Sequence, residues 1–154
     1  MLRVLALLRH GKASSQGPDA PLMPEGAKQL RRLGSRLAAE DWHPAVVVTS
    51  PYRRARESAQ LLVGALAPAA PMHVLRELKP EVEPDVALEA ILATAPLATP
   101  VLVVTHLPLV GRIAHDLIGE EIAFSPGTFV EIVCDGDGSY RLLRRLNAHE
   151  LAAD

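Results

Sequence analysis

Cysteine is nearly absent from this sequence. Cys134 is the single one in 154 residues, which excludes an internal disulfide and fits a reducing compartment. Aromatic residues are scarce at 3 %, so a core has to be built from Leu, Val, Ile and Ala, the usual filling between a parallel sheet and its helices. No apolar run approaches the roughly 20 residues of a membrane-spanning helix. The apolar opening at 1–8 is interrupted by Arg3 and is followed by no small-residue cleavage site, so it reads as a strand rather than a signal peptide. Cytoplasm is the expected compartment, with no membrane partner. A formal net charge of −2 lacks the basic footprint of a nucleic-acid binder. The length fits one domain, 1–154, able to bury a core without metals or disulfides.

Apolar periodicity switches repeatedly between strand-like and helix-like, which predicts an alternating α/β fold. Buried strands are expected at 4–8, 46–48 and 101–104, each a short continuous apolar run. Between the first two, 24–40 has helical spacing, with Ala27, Leu30, Leu33, Gly34, Leu37 and Ala38 on one side and Lys28, Arg32 and Arg36 on another. Met23 precedes this helix and has no capping group. Ser50 followed by Pro51 reads as an N-cap and first helical residue of a helix running through Ala55, Ala59, Leu62, Val63 and Leu66. A short strand is expected near 73–75. A further helix presents Leu88, Ile91, Leu92 and Ala95, and another follows Pro108 with Gly119 as its stop. Strands at 129–133 and 140–146 flank Asp135-Gly136-Asp137-Gly138, a hairpin signal. That tetrapeptide is not a calcium loop, because Tyr140 and Leu146 fall where such a loop needs Gly and Glu.

Chemistry gathers at the ends of the three buried strands, where ligands of open α/β sheets bind. Arg9-His10-Gly11 follows the first. Gly11 lets the backbone turn and approach a ligand, and Arg9 offers a planar fork of donors matched to phosphate oxygens. A neutral His10 is a competent nucleophile toward phosphorus when its other ring nitrogen is held by an acceptor. After the second strand, Ser50-Pro51-Tyr52-Arg53-Arg54-Ala55 puts arginine in a helix first turn, where backbone donors and the helix dipole also favour an anion. After the third, Thr105-His106 adds a second histidine just before a helix. Three strand ends with cationic or protonatable residues on one sheet edge are what a phosphate pocket requires.

These residues resemble the histidine phosphatase superfamily, with its phosphoglycerate-mutase-like fold. The run Val104-Thr105-His106-Leu107-Pro108-Leu109-Val110-Gly111 is similar to the small SixA-type phosphohistidine phosphatases. The resemblance implies a three-layer α/β/α sandwich around a mostly parallel sheet. It makes His10 the phosphorylated nucleophile, flanked by Arg9, Arg54 and a protonated His106. Arg54 rather than Arg53 fits the pattern Ser-Pro-x-x-Arg-Ala. Glu77, beside Leu78, occupies the place of a proton-donating glutamate, with a surface loop residue as the alternative and Glu81 and Glu83 close by. Gly11 and Lys12 are placed at the substrate, Lys12 with a solvated lysine as its alternative.

No cofactor and no metal is expected. His43, His73, His115 and His149 are expected at the surface, and Cys134 as a small buried apolar group. The expected activity is a phosphohydrolase acting on protein phosphohistidine. The alternatives are a phosphatase for small phosphomonoesters and a phosphate-binding domain without turnover, with a mutase less favoured than either.

Overall fold

The computed structural model describes residues 3–151. Six strands and four helices alternate: β1 (Arg3–Arg9), α1 (Pro24–Ala39), β2 (Val46–Thr49), α2 (Arg53–Leu66), β3 (Met72–Val74), α3 (Pro84–Thr94), β4 (Val101–Thr105), α4 (Leu109–Ile118), β5 (Phe129–Cys134) and β6 (Tyr140–Leu146). Short 3-10 turns occupy Arg76–Leu78 and Ala148–Glu150. The strands form one sheet in the order β3-β2-β4-β1-β5-β6. Neighbours from β3 to β1 pair in parallel, whereas β5 runs antiparallel to both β1 and β6.

Strand alternation divides the core into two layers. Leu5 and Leu7 of β1, with Val48, Val101 and Val103, pack under Ala87 and Ile91 of α3 and Leu109, Val110 and Ile113 of α4. Ala6 and Leu8 point the other way, joining Val47, Leu102 and Val104 beneath Leu30, Leu33 and Leu37 of α1 and Ala55, Ala59 and Leu62 of α2. A strand covered on both faces must be apolar at every position, which is why β1, β2 and β4 read as unbroken hydrophobic runs. The result is the expected α/β/α sandwich with a mostly parallel sheet.

Local boundaries follow the residue chemistry with a few corrections. The third strand sits one residue earlier than its pattern suggested, at Met72–Val74. Gly119 ends α4 at φ 72°, and its N–H is bonded to the His115 carbonyl, as a left-handed C-terminal glycine should be. Met23 makes no side-chain cap at α1. Ser50 is not the N-cap of α2: the helix begins at Arg53 with Tyr52 in the capping position. Instead the Ser50 hydroxyl accepts the Tyr52 N–H at 3.2 Å and is otherwise engaged at the end of β4. Cys134 is half-buried rather than enclosed, because it closes β5 at the hairpin. Among the described residues no helix is long and apolar enough to cross a membrane.

Candidate active site

The carboxyl ends of β1, β2 and β4 lie side by side, so the residues following them meet. His10 N–H bonds to the Thr105 carbonyl at 3.1 Å, and Ser50 N–H to the Val104 carbonyl at 3.0 Å. These bonds continue the sheet one residue past each strand and fix the spacing of the loops above it. A cavity of about 440 Å³ opens there, lined among others by Arg9, His10, Lys12, Tyr52, Arg54, Glu81 and His106.

The turn after His10 depends on two glycines. A Cβ on Gly11 would stand 2.6 Å from Leu30 Cδ2, and one on Gly26 would stand 2.2 Å from the Lys12 carbonyl oxygen. The loop therefore lies directly on the first turn of α1. Gly11 N–H donates to Ser58 Oγ at 3.0 Å, and Ser58 Oγ donates to the Arg54 carbonyl at 2.7 Å. One buried hydroxyl thus joins the loop of β1 to the helix that carries Arg54. Lys12 N–H is held by Gln29 Oε1 at 3.0 Å, while its ammonium is exposed and paired with Glu25 at 3.1 Å.

The protonation of His10 follows from its partners. Nδ1 lies 2.7 Å from the Gly11 carbonyl, an acceptor only, so Nδ1 carries the proton. Nε2 is then left with its lone pair, and Arg54 Nε donates toward it at 3.2 Å. Burial, reinforced by the charges of Arg54 and Arg9 and opposed by the Gly11 bond, lowers the His10 pKa to about 4. At neutral pH this imidazole is uncharged, with its Nε2 lone pair facing Arg54.

Arg54 is buried and is braced by the carbonyls of Gly17 and Gln16 at 2.7 and 3.2 Å. Its guanidinium lies 5.0 Å from the centre of the Tyr52 ring. Arg9 Nη1 reaches the Phe124 carbonyl at 2.8 Å. Burial lowers both arginine pKa values, and for Arg9 the charge of Arg54 adds to it, yet a guanidinium stays charged at any ordinary pH. Two guanidinium groups beside a neutral imidazole therefore make a strongly electropositive cavity.

His106 packs edge-on to His10, with ring centroids 5.0 Å apart, and to Tyr52 at 4.8 Å. Its Nε2 lies 2.6 Å from Ser50 Oγ. Burial, then His10, Arg54 and Arg9, push its pKa down to about 3. The protein's own groups thus favour a neutral imidazole at pH 7, whereas a protonated His106 is expected beside a transferring phosphoryl group. Among the described residues, two buried side-chain nitrogens lack a partner, Arg9 Nε and His106 Nδ1. Both belong to this site.

The structure thus brings Arg9, His10, Arg54 and His106 together, with Lys12 at the rim and Gly11 beneath. Glu77 sits half-buried on the 3-10 turn and is not among the residues lining the cavity; the carboxylate that lines it is Glu81. His43, His73, His115 and His149 are exposed, as their lack of motif partners implied. The sequence reading missed Ser50, Tyr52 and Ser58. The Ser-Pro pair was the available signal for the first, and it pointed to a helix cap equally well.

A doubly covered α/β sheet carries at its strand ends a buried neutral histidine between two arginines, an arrangement suited to a phosphoryl group. The histidine phosphatase superfamily (branch 1) matches residues 5–81; the chain belongs to this superfamily and is a phosphohydrolase. Among solved structures, the protein histidine phosphatase SixA complexed with tungstate is similar at 24 % identity and TM-score 0.86, over 95 % of this chain and 97 % of that one. The alpha-ribazole phosphatase of Shigella flexneri is similar at 19 % identity and TM-score 0.75, over 99 % and 100 %. Phosphoserine phosphatase of Entamoeba histolytica, in complex with phosphoserine, is similar at 15 % identity and TM-score 0.75, over 97 % and 100 %. At these identities the likeness is one of fold. No curated protein matches the chain.

Proposed function

We propose that this chain is a single-domain cytoplasmic phosphatase that removes the phosphoryl group from protein phosphohistidine through a covalent intermediate on His10. The observation that carries the reading is the geometry of His10: Nδ1–H tied to the Gly11 carbonyl, and the Nε2 lone pair left on the side of Arg54. In the first step Nε2 attacks phosphorus and the bond to the leaving nitrogen breaks, its electron pair departing with that nitrogen. In the second step water attacks phospho-His10, the P–N bond breaks, and inorganic phosphate leaves. Negative charge spreads over the equatorial oxygens in both steps. Arg9 and Arg54 are set beforehand to receive it, each worth roughly 3 kcal/mol by analogy with single donors in other sites. An oxyanion beside His10 would also give the unpartnered Arg9 Nε and His106 Nδ1 their acceptor.

Support for a nitrogen leaving group comes from the cavity wall. Its carboxylate, Glu81, is exposed, and among the described residues no hydrogen bond aims it at a leaving atom. A phosphorylated imidazole needs less help from an acid than an alkoxide does. The presence of Glu81 also favours one second reading, a phosphatase for small phosphomonoesters in which this carboxylate or Glu77 donates the proton. Enzyme mixed with phosphoryl-labelled substrate and quenched in alkaline detergent is expected to show an adduct on His10 that survives base and is released by acid; an acid-stable adduct would overturn the assignment. Side-by-side turnover of phosphohistidine protein and sugar phosphates decides between the two substrates, and faster turnover of the sugar phosphates selects the second.

A further inference from the structure

Ser50 is fully buried where β2 meets α2, yet it neither caps the helix nor lines the phosphate cavity. Its hydroxyl has two neighbours among the described residues. It accepts the Tyr52 N–H at 3.2 Å, and it stands 2.6 Å from His106 Nε2. A hydroxyl that already accepts from a backbone N–H still has its own proton to place. His106 Nε2 is the acceptor within reach. If Nε2 accepts, the ring proton of a neutral imidazole must sit on Nδ1, the nitrogen that is buried without a protein partner.

A buried N–H without an acceptor costs about 1–3 kcal/mol, so this arrangement is unfavourable unless something else supplies one. Resting on the phosphohydrolase reading above, we propose that Ser50 is a positioning residue that locks His106 into its neutral Nδ1–H tautomer, presenting that N–H as a donor to an oxygen of the transferring phosphoryl group. The same hydroxyl holds the Tyr52 backbone and so links the phase of His106 to the start of α2, two residues before Arg54. Burial and the neighbours His10, Arg54 and Arg9 disfavour a second ring proton, so His106 meets the phosphoryl group as a hydrogen-bond donor.

Nitrogen-15 NMR of histidine-labelled enzyme at pH 7 reads the tautomer directly, with the spectrum repeated in inorganic phosphate. Wild type is expected to show a protonated Nδ1 and an unprotonated Nε2 on His106, and phosphate is expected to shift Nδ1 more than Nε2. Ser50→Ala is expected to move the population toward Nε2–H and to lower kcat about tenfold with little change in KM, the effect of a single lost hydrogen bond in the transition state. Ser50→Thr keeps the hydroxyl and is expected to restore both tautomer and kcat. A thermal melt within a few degrees of wild type shows that Ser50→Ala folds. An imidazolium or an Nε2–H tautomer in wild type overturns the proposal. So does a Ser50→Ala enzyme with unchanged tautomer and kcat. Absence of a His10 adduct in wild type would instead overturn the phosphohydrolase mechanism on which the proposal rests.

Discussion

Arg53 and Arg54 are adjacent in sequence and reach opposite surroundings. Arg54 turns inward to His10 Nε2 and the Gly17 carbonyl, whereas Arg53 lies along its own helix with Glu57 at 3.4 Å. Arg54→Ala is therefore expected to lower kcat/KM by about 10²-fold or more, the cost of removing one donor to the developing charge. Arg53→Ala removes a solvated ion pair worth about 0–1 kcal/mol, and its kcat/KM is expected to stay within a factor of about three. Equal losses would mean that the helix phase has been misassigned. The two glutamates can be separated in the same way. Toward an alkyl phosphate, Glu81→Gln is expected to cost more than Glu77→Gln, because only Glu81 lines the cavity. Loss of a general acid costs at least about 10²-fold. Toward phosphohistidine both variants are expected to keep most of their activity. The sequence could not rank Glu77, Glu81 and Glu83, since an irregular loop has no periodicity to say which side chain faces inward.

At the scale of single elements, the contact between α1 and the His10 loop is the tightest made by any glycine. Gly26→Ala would force a methyl group against the Lys12 carbonyl, moving either the helix or the loop that carries His10. A loss of about 1–3 kcal/mol in urea unfolding is expected from such overpacking, together with a fall in kcat. Gly64 in α2 offers the opposite case: it is exposed, and a Cβ there meets nothing within 4 Å. Gly64→Ala is expected to stabilise by about 0.5–1 kcal/mol, since alanine is the better helix former, with activity unchanged. The same contrast shows what could be read before the structure. The strands β1, β2 and β4 announced themselves because burial on both faces writes an unbroken apolar run. Strand-end motifs announced where the cavity opens because each lies directly after such a run. Gly26 gave no signal, because its role exists only where two segments cross. Ser50 gave an ambiguous one, because its hydroxyl is claimed by a histidine from another strand.

For the molecule as a whole, the two cavity histidines make stability depend on pH. Their folded pKa values, about 4 for His10 and about 3 for His106, lie below the usual value near 6.5 that the unfolded chain restores. Between these limits the unfolded chain binds more protons than the folded one, so stability rises with pH there. Full stability is expected above about pH 6.5, with loss on acidification that levels off below the folded values. At pH 5 each histidine accounts for roughly 1–2 kcal/mol of that loss. Urea midpoints measured from pH 7 to 5 check this. The decline is expected to be about half as steep in His106→Gln, and an identical slope would remove His106 from the account.

The strand that carries His10 lies between β4 and β5, with partners at 101–105 on one side and 129–134 on the other. Neither neighbour is local in the chain, so both pairings come after long loops have been closed. In any order of assembly that begins with nearby contacts, β1 is inserted late, and the cavity at its end is the seam at which the sheet is sewn shut. Until then its leucine-rich edge stands open to other chains. Recovery of turnover during refolding would therefore time the final closure rather than the first collapse. A shortened chain ending before β5 would be both inactive and prone to aggregate.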